Sequence, residues 1–117
     1  NDYKTINKLG IAYLKLKLLD KAKLQFQTCI NIKPDYPKGY TNLAFCEISQ
    51  ENYKEAIPLL KNATKLNPKL KVAHYNLGIC YEALKDFKKA CSCWEKAAEL
   101  GSKKAIQHLN SSDCQGK

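Results

Sequence analysis

The chain has 117 residues, 44% of them hydrophobic and 26% charged, with a formal net charge of +9. That length suits one compact unit and excludes two ordinary domains. No apolar run approaches the length of a membrane span, and no signal-peptide core is visible. All 20 basic residues are Lys. A chain without Arg lacks the side chain preferred for bidentate contacts to phosphate and guanine, which argues against nucleic-acid binding. There is no Met, so the chain does not start at an initiator residue, and it is expected to come from a longer or processed protein.

Residues 3–36 predict a first helix-turn-helix unit. Ile6, Leu9, Gly10 and Tyr13 fall on one face of its first helix, and Ala22, Phe26 and Cys29 on one face of its second. Pro34 ends that second helix, because proline cannot continue one and constrains its predecessor. The pattern returns 34 residues later over 37–70, as Tyr40, Leu43, Ala44 and Glu47, then Ala56, Leu60 and Ala63, then Pro68. It returns again over 71–104, as His74, Leu77, Gly78 and Tyr81, then Ala90, Trp94 and Ala97. A fixed period of this length specifies an all-α α-solenoid of three helix-turn-helix repeats in a single domain, 1–117. Small residues at 10, 44 and 78 are expected to admit the large residues at 26, 60 and 94. Asp86 is a candidate cap for the helix that follows it, with Asp20 and Asn52 as candidates near the equivalent turns. Pro58, early in the fourth helix, is expected to be tolerated.

After Gly101 the pattern changes. Residues of about 103–110, with Ala105, Ile106 and Leu109 toward one side, predict a C-terminal capping helix that shields the last apolar face. Residues 111–117 read as a frayed tail. No comparable cap precedes residue 3.

Enzymatic chemistry finds no support. His74 occupies the slot of Ile6 and Tyr40 and reads as a packed residue, and His108 lies on the cap. Neither forms a triad with a nucleophile and a carboxylate. No Gly-rich phosphate loop is present, and no cofactor or metal is expected. Cys91 and Cys93 are two apart on a helix and point to different sides, so they cannot readily hold one ion. Cys29, Cys46 and Cys80 read as small buried apolar residues. The cap is expected to fold back over the sixth helix. That carries the tail toward Cys91 and makes Cys91–Cys114 a candidate disulfide in an oxidising compartment. Lysines 21, 23, 54, 61, 65, 88, 89 and 96 fall mostly on outward positions of second helices and read as a solvated face.

The motif residues above closely resemble the tetratricopeptide repeat family over residues 3–104, most fully in the first and third repeats. Ala44 and Glu47 depart from the family pattern in the second. The run from Ala90 to Gly101 is similar to Sel1-like repeats, which points to a bacterial origin. The resemblance implies a right-handed α-solenoid with a concave groove, lined by the first helices, that binds a partner's peptide or helix. On that implication the ladder comprises Ile11, Phe45 and Ile79, flanked by Leu14, Ile48 and Glu82, with Asn7, Thr41 and Tyr75 across it, and Val72, Lys4, Lys38 and Lys15 on the rim. One subclass of the family grips the carboxylate of chaperone tails. Its clamp positions correspond to Asn7, Ile11, Asn42, Val72 and Asn76, of which only Asn42 matches, so chaperone-tail recognition is not expected. The expected function is a non-catalytic interaction or scaffold module with a protein or peptide partner. The competing readings are self-association through the uncapped edge around Tyr3, Ile6 and Ile30, and nucleic-acid binding through the lysines. The compartment is open between cytoplasm and a bacterial periplasm or envelope.

Overall fold

A computed structural model describes residues 2–111 and Cys114. Its helices are α1 (Tyr3–Lys15), α2 (Leu19–Ile32), α3 (Pro37–Ser49), α4 (Tyr53–Leu66), α5 (Lys71–Ala83), α6 (Phe87–Glu99) and α7 (Lys103–Ser111). They form an all-α solenoid of three hairpins, α1–α2, α3–α4 and α5–α6, closed by α7 against α6. Helix α1 also packs on α3 and α3 on α5, whereas the second helices make no comparable contact with one another. First helices that touch while second helices splay give a curved stack with α1, α3 and α5 on its inner side. The body measures 49 × 25 × 21 Å.

The small-large pairing of the sequence is the packing rule. A Cβ on Gly10 would stand 2.5 Å from Phe26, and one on Gly78 would fall into the ring of Trp94. In the middle hairpin both partners change together: Ala44 replaces glycine and the smaller Leu60 replaces the ring, and both are fully buried. Cys46 and Cys80 are completely enclosed. Burial pushes both thiols up to about 11, because an apolar interior disfavours the thiolate. Trp94 Nε1 is buried with no hydrogen-bond partner among the described residues.

The turns inside the hairpins share one device. Lys17, Glu51 and Lys85, each 34 apart, all adopt a left-handed conformation (φ 62°, 61° and 65°). The amide three residues beyond each helix end, of Leu18, Asn52 and Asp86, then reaches back to the carbonyls of Tyr13, Glu47 and Tyr81 at 2.7–2.9 Å. This Schellman pattern of backbone bonds satisfies carbonyls the helix leaves unpaired. The joints between hairpins use another device. The Tyr40 hydroxyl donates to the Pro34 carbonyl at 2.7 Å, and His74 Nε2–H to the Pro68 carbonyl at 2.9 Å.

Three local expectations are corrected. Asp86 caps α6 by accepting from Lys89 N, but Asp20 and Asn52 cap nothing. Asp20 lies inside α2 and accepts from Gln50 Nε2, while Asn52 Nδ2 donates to Glu47 at 2.9 Å. Glu47 also holds Lys23 of the preceding hairpin at 3.1 Å, which gives the departure from tyrosine a structural use. At Tyr13 and Tyr81 a cation lies over the ring instead, from Lys21 and Lys89. On α7, Ile106 is 43% exposed and does not join Ala105 and Leu109. One residue is a 100° rotation, and the buried face runs through Ser102, Ala105, His108 and Leu109. Pro58 sits inside an unbroken α4, because so early in a helix it forfeits about one backbone bond.

Candidate functional site

The inner side of the stack is built by α1, α3 and α5, with the start of α7 at its far end. Phe45 and Val72 remain 45% and 48% exposed. Together with Tyr75 and Asn76 they line a cavity of about 420 Å³, whose other walls are Lys71 and residues 101–104. The opposite flank of Phe45 shares a second depression of about 330 Å³ with Leu14, Leu19 and Ser49. Phe45 is thus a ridge between two apolar hollows. Ile11 and Leu14 are half-buried against the first core cluster, Ile48 against the second, and Ile79 and Tyr75 against the third. They form the floor of the inner side and their outer edges are partly open.

Asn7 does not belong to that open wall. It is 5% exposed, and its Oδ1 accepts from Asn42 Nδ2 at 2.8 Å across the first two hairpins. Thr41 is half-buried and its hydroxyl donates to the Lys38 carbonyl. Glu82 lies farther along, in a separate cavity of about 390 Å³ that it shares with Phe87, Trp94, His108 and the Cys91–Cys114 pair. Lys4, Lys15 and Lys38 are exposed.

Sequence reasoning missed what α7 brings to the site. Gly101 at φ 98° turns the chain, and the Ser102 hydroxyl oxygen then accepts from Ala105 N to start the helix. The turn places Lys103 and Lys104 beside the pocket, with Lys104 Nζ 5.9 Å from the Tyr75 ring centroid. His108 packs edge-on to Tyr75 and tilted on Trp94, with centroids 5.2 and 4.7 Å apart, and its Nδ1–H donates to the Lys104 carbonyl. Burial, and secondarily the charge of Glu82, raise the Tyr75 phenol above its ordinary value. Cys91 and Cys114 are bonded in the structure, with Cα atoms 5.5 Å apart. Cys93 points away into the middle core cluster. Among the described residues no cluster of His, Cys, Asp or Glu could hold a metal ion, and no helix is long and apolar enough to cross a membrane.

Tetratricopeptide repeat family models match residues 3–36 and 47–93. The chain carries tetratricopeptide repeats. No curated protein sequence matches it. Among solved structures it is similar to the first TPR of Spaghetti (RPAP3) bound to the HSP90 peptide SRMEEVD, at 22% identity and TM-score 0.89 over 92% of this chain and 87% of that one. It is also similar to the Sgt2 TPR domain from Aspergillus fumigatus, at 23% identity and TM-score 0.88 over 95% and 76%. A third similar structure is MamA, at 25% identity and TM-score 0.82 over 86% of this chain and 59% of that one. At such identities the first two likenesses show the fold of a TPR unit and nothing finer.

Proposed function

We propose that this TPR unit is a non-catalytic docking module that takes a peptide along its inner side. An apolar side chain of the peptide is seated between Phe45, Val72 and Tyr75, and acidic groups meet Lys71, Lys103 and Lys104. The pocket shared by Phe45, Val72 and those lysines carries the reading. Two large apolar side chains left half-exposed beside one another usually mark an interaction site. The cationic rim adds steering and register for an acidic partner. That the similar TPR of RPAP3 is bound to an HSP90 peptide supports a peptide as the ligand class.

The grip differs from a carboxylate clamp. Asn42, the one matching clamp position, has its amide engaged by Asn7, and Ile11 and Val72 supply no donors. A free C-terminal carboxylate therefore contributes little, and acidic side chains contribute more. The same reading takes the Cys91–Cys114 bond as a tether for the cap in an oxidising compartment.

The test is Phe45→Lys in the full chain, followed by calorimetry with acidic peptides that carry one large apolar residue, free or amidated at the C-terminus. Binding is expected to vanish in the variant, to survive amidation, and to leave helical content and melting unchanged. A large loss of stability would instead place Phe45 in the core. Strong dependence on the free carboxylate would return the chain to the clamp class.

A further inference from the structure

The thiol chemistry of this chain is divided between two environments. Cys29, Cys46 and Cys80 are fully enclosed, and Cys93 is half-buried against the middle core cluster. Burial pushes all four thiols above their ordinary value, so at neutral pH they keep their protons and are poor nucleophiles. The two bonded sulfurs lie elsewhere. Cys91 and Cys114 are only half-buried, and they line the cavity of about 390 Å³ between α5, α6 and α7, beside Phe87, His108 and Ser111. The bond is thus safe from the chain's own thiols and reachable by a thiol from outside.

What the bond holds is a weak element. Helix α7 has nine residues, below the length at which a helix stands alone in water. Its first turn carries Lys103 and Lys104 and no acidic residue, which sets two cations against the positive end of the helix dipole. Among its side chains only that of Ala105 is buried, whereas α6 buries Ala90, Trp94 and Ala97. The bond at Cys114 fixes the far end of α7 to Cys91 on α6, 23 residues away along the chain. A cross-link of that span removes much of the freedom the undocked segment would gain.

Helix α7 is in turn part of the groove. His108 packs edge-on to Tyr75 with ring centroids 5.2 Å apart, and Lys104 Nζ lies 5.9 Å from the same ring. Residues 101–104 wall the pocket that Tyr75 shares with Phe45 and Val72. When α7 leaves, that wall and its lysines leave with it, and Tyr75 loses both neighbours.

We propose that Cys91–Cys114 is a redox latch: a dithiol reductant opens it through the cavity, α7 comes away from α5 and α6, and the groove loses affinity for its acidic peptide. The exchange moves two electrons. A thiolate of the reductant attacks one sulfur of the pair and forms a mixed disulfide, displacing the other cysteine. The reductant's second thiol then closes on its first and displaces the remaining cysteine. The reductant ends as a cyclic disulfide, and the two protein sulfurs take up the two protons it gives up. The release of α7 stands on the packing alone, while the loss of affinity rests on the peptide-docking reading.

The test compares the full chain oxidised and then reduced with dithiothreitol. Trp94 is the only tryptophan and His108 packs on its ring at 4.7 Å, so its emission reports on α7. Reduction is expected to shift that emission to the red, to speed amide exchange over residues 103–111 about tenfold or more, and to leave α1–α4 protected. By calorimetry, an acidic peptide with one large apolar residue is expected to bind the reduced chain about threefold to tenfold more weakly. Oxidised dithiothreitol is expected to restore all three readouts. Cys91→Ser is expected to behave as the reduced chain with or without reductant, and Cys93→Ser to behave as wild type. Unchanged emission and unchanged α7 exchange on reduction would overturn the latch. So would loss of protection throughout the chain, or a pair that stays unbonded in oxidant. A reduced chain that releases α7 yet binds the peptide as before would overturn the coupling to the groove. No peptide binding to the oxidised chain would sink the docking reading, and emission and exchange would still decide the latch.

Discussion

Gly78→Ala sets two opposing terms against each other inside one helix. Replacing glycine within α5 gains about 0.8–1.0 kcal/mol of helix propensity. The new methyl, however, meets three atoms of the Trp94 indole, all closer than real side chains approach. That ring is 1% exposed and His108 stands 4.7 Å from it, so making room for the methyl means turning the indole out of its packing. Overpacking of this kind costs roughly 1–3 kcal/mol, toward the upper end where the neighbour is rigid. The net expectation is a loss of about 1–2 kcal/mol. Urea unfolding followed by far-UV circular dichroism measures it, with an unchanged slope as the sign that only stability moved. The decisive experiment repeats the change in Trp94→Leu. That background starts lower because a cavity has been opened, but it removes the obstacle, so Gly78→Ala there is expected to stabilise by about 1 kcal/mol through propensity alone. A loss of the same size in both backgrounds would refute the close-approach account of the glycine.

Glu51→Gly is expected to stabilise by about 0.5–1 kcal/mol, since a left-handed turn costs glycine less than an L side chain and Glu51 is exposed; thermal melting reads it as a rise of a few degrees. The pH dependence follows from Cys46 and Cys80. Unfolded thiols ionise near the ordinary value of 9.0 while the folded ones hold their protons to about 11. The unfolded state therefore sheds protons first, and stability, level below pH 9 with respect to these groups, is expected to fall between those values. Urea midpoints from pH 7 to 11 for wild type and the Cys46→Ala, Cys80→Ala pair test this, and equal slopes would contradict it. Denatured, unreduced chain is expected to alkylate at four thiols, Cys29, Cys46, Cys80 and Cys93. Reduction is expected to expose all six and lower the melting point, as opening a closed loop of this size removes about 3 kcal/mol. Six reactive thiols before reduction would dismiss the Cys91–Cys114 bond.

The fold was legible because its determinants repeat. Leucine at 9, 43 and 77, alanine at 22, 56 and 90, and prolines 34 apart each make the same local argument more than once. The glycine-ring pairs were legible for the same reason, and so were the buried thiols, which alternate with alanine at equivalent positions. The left-handed turns were not, since Lys17, Glu51 and Lys85 carry no residue-type signal for that conformation and only their alignment hints at it. The family resemblance placed Asn7 on the groove because it assigns a direction, not what stands there, and α3 occupies the space with Asn42. The lysines of α7 escaped because the groove pattern was read only on the first helices of the repeats, although the turn at Gly101 repeats the device of Lys17, Glu51 and Lys85, with the Ser102 amide reaching the Ala97 carbonyl at 2.9 Å.

Among the described residues the main contacts between hairpins pass from each to the next, and that neighbour-to-neighbour wiring shapes how the molecule comes apart. The middle hairpin is gripped from two directions, by α2 and by α5. Amide protons of α3 and α4 are therefore the last to exchange, and an injury in one outer hairpin reaches the other through the centre.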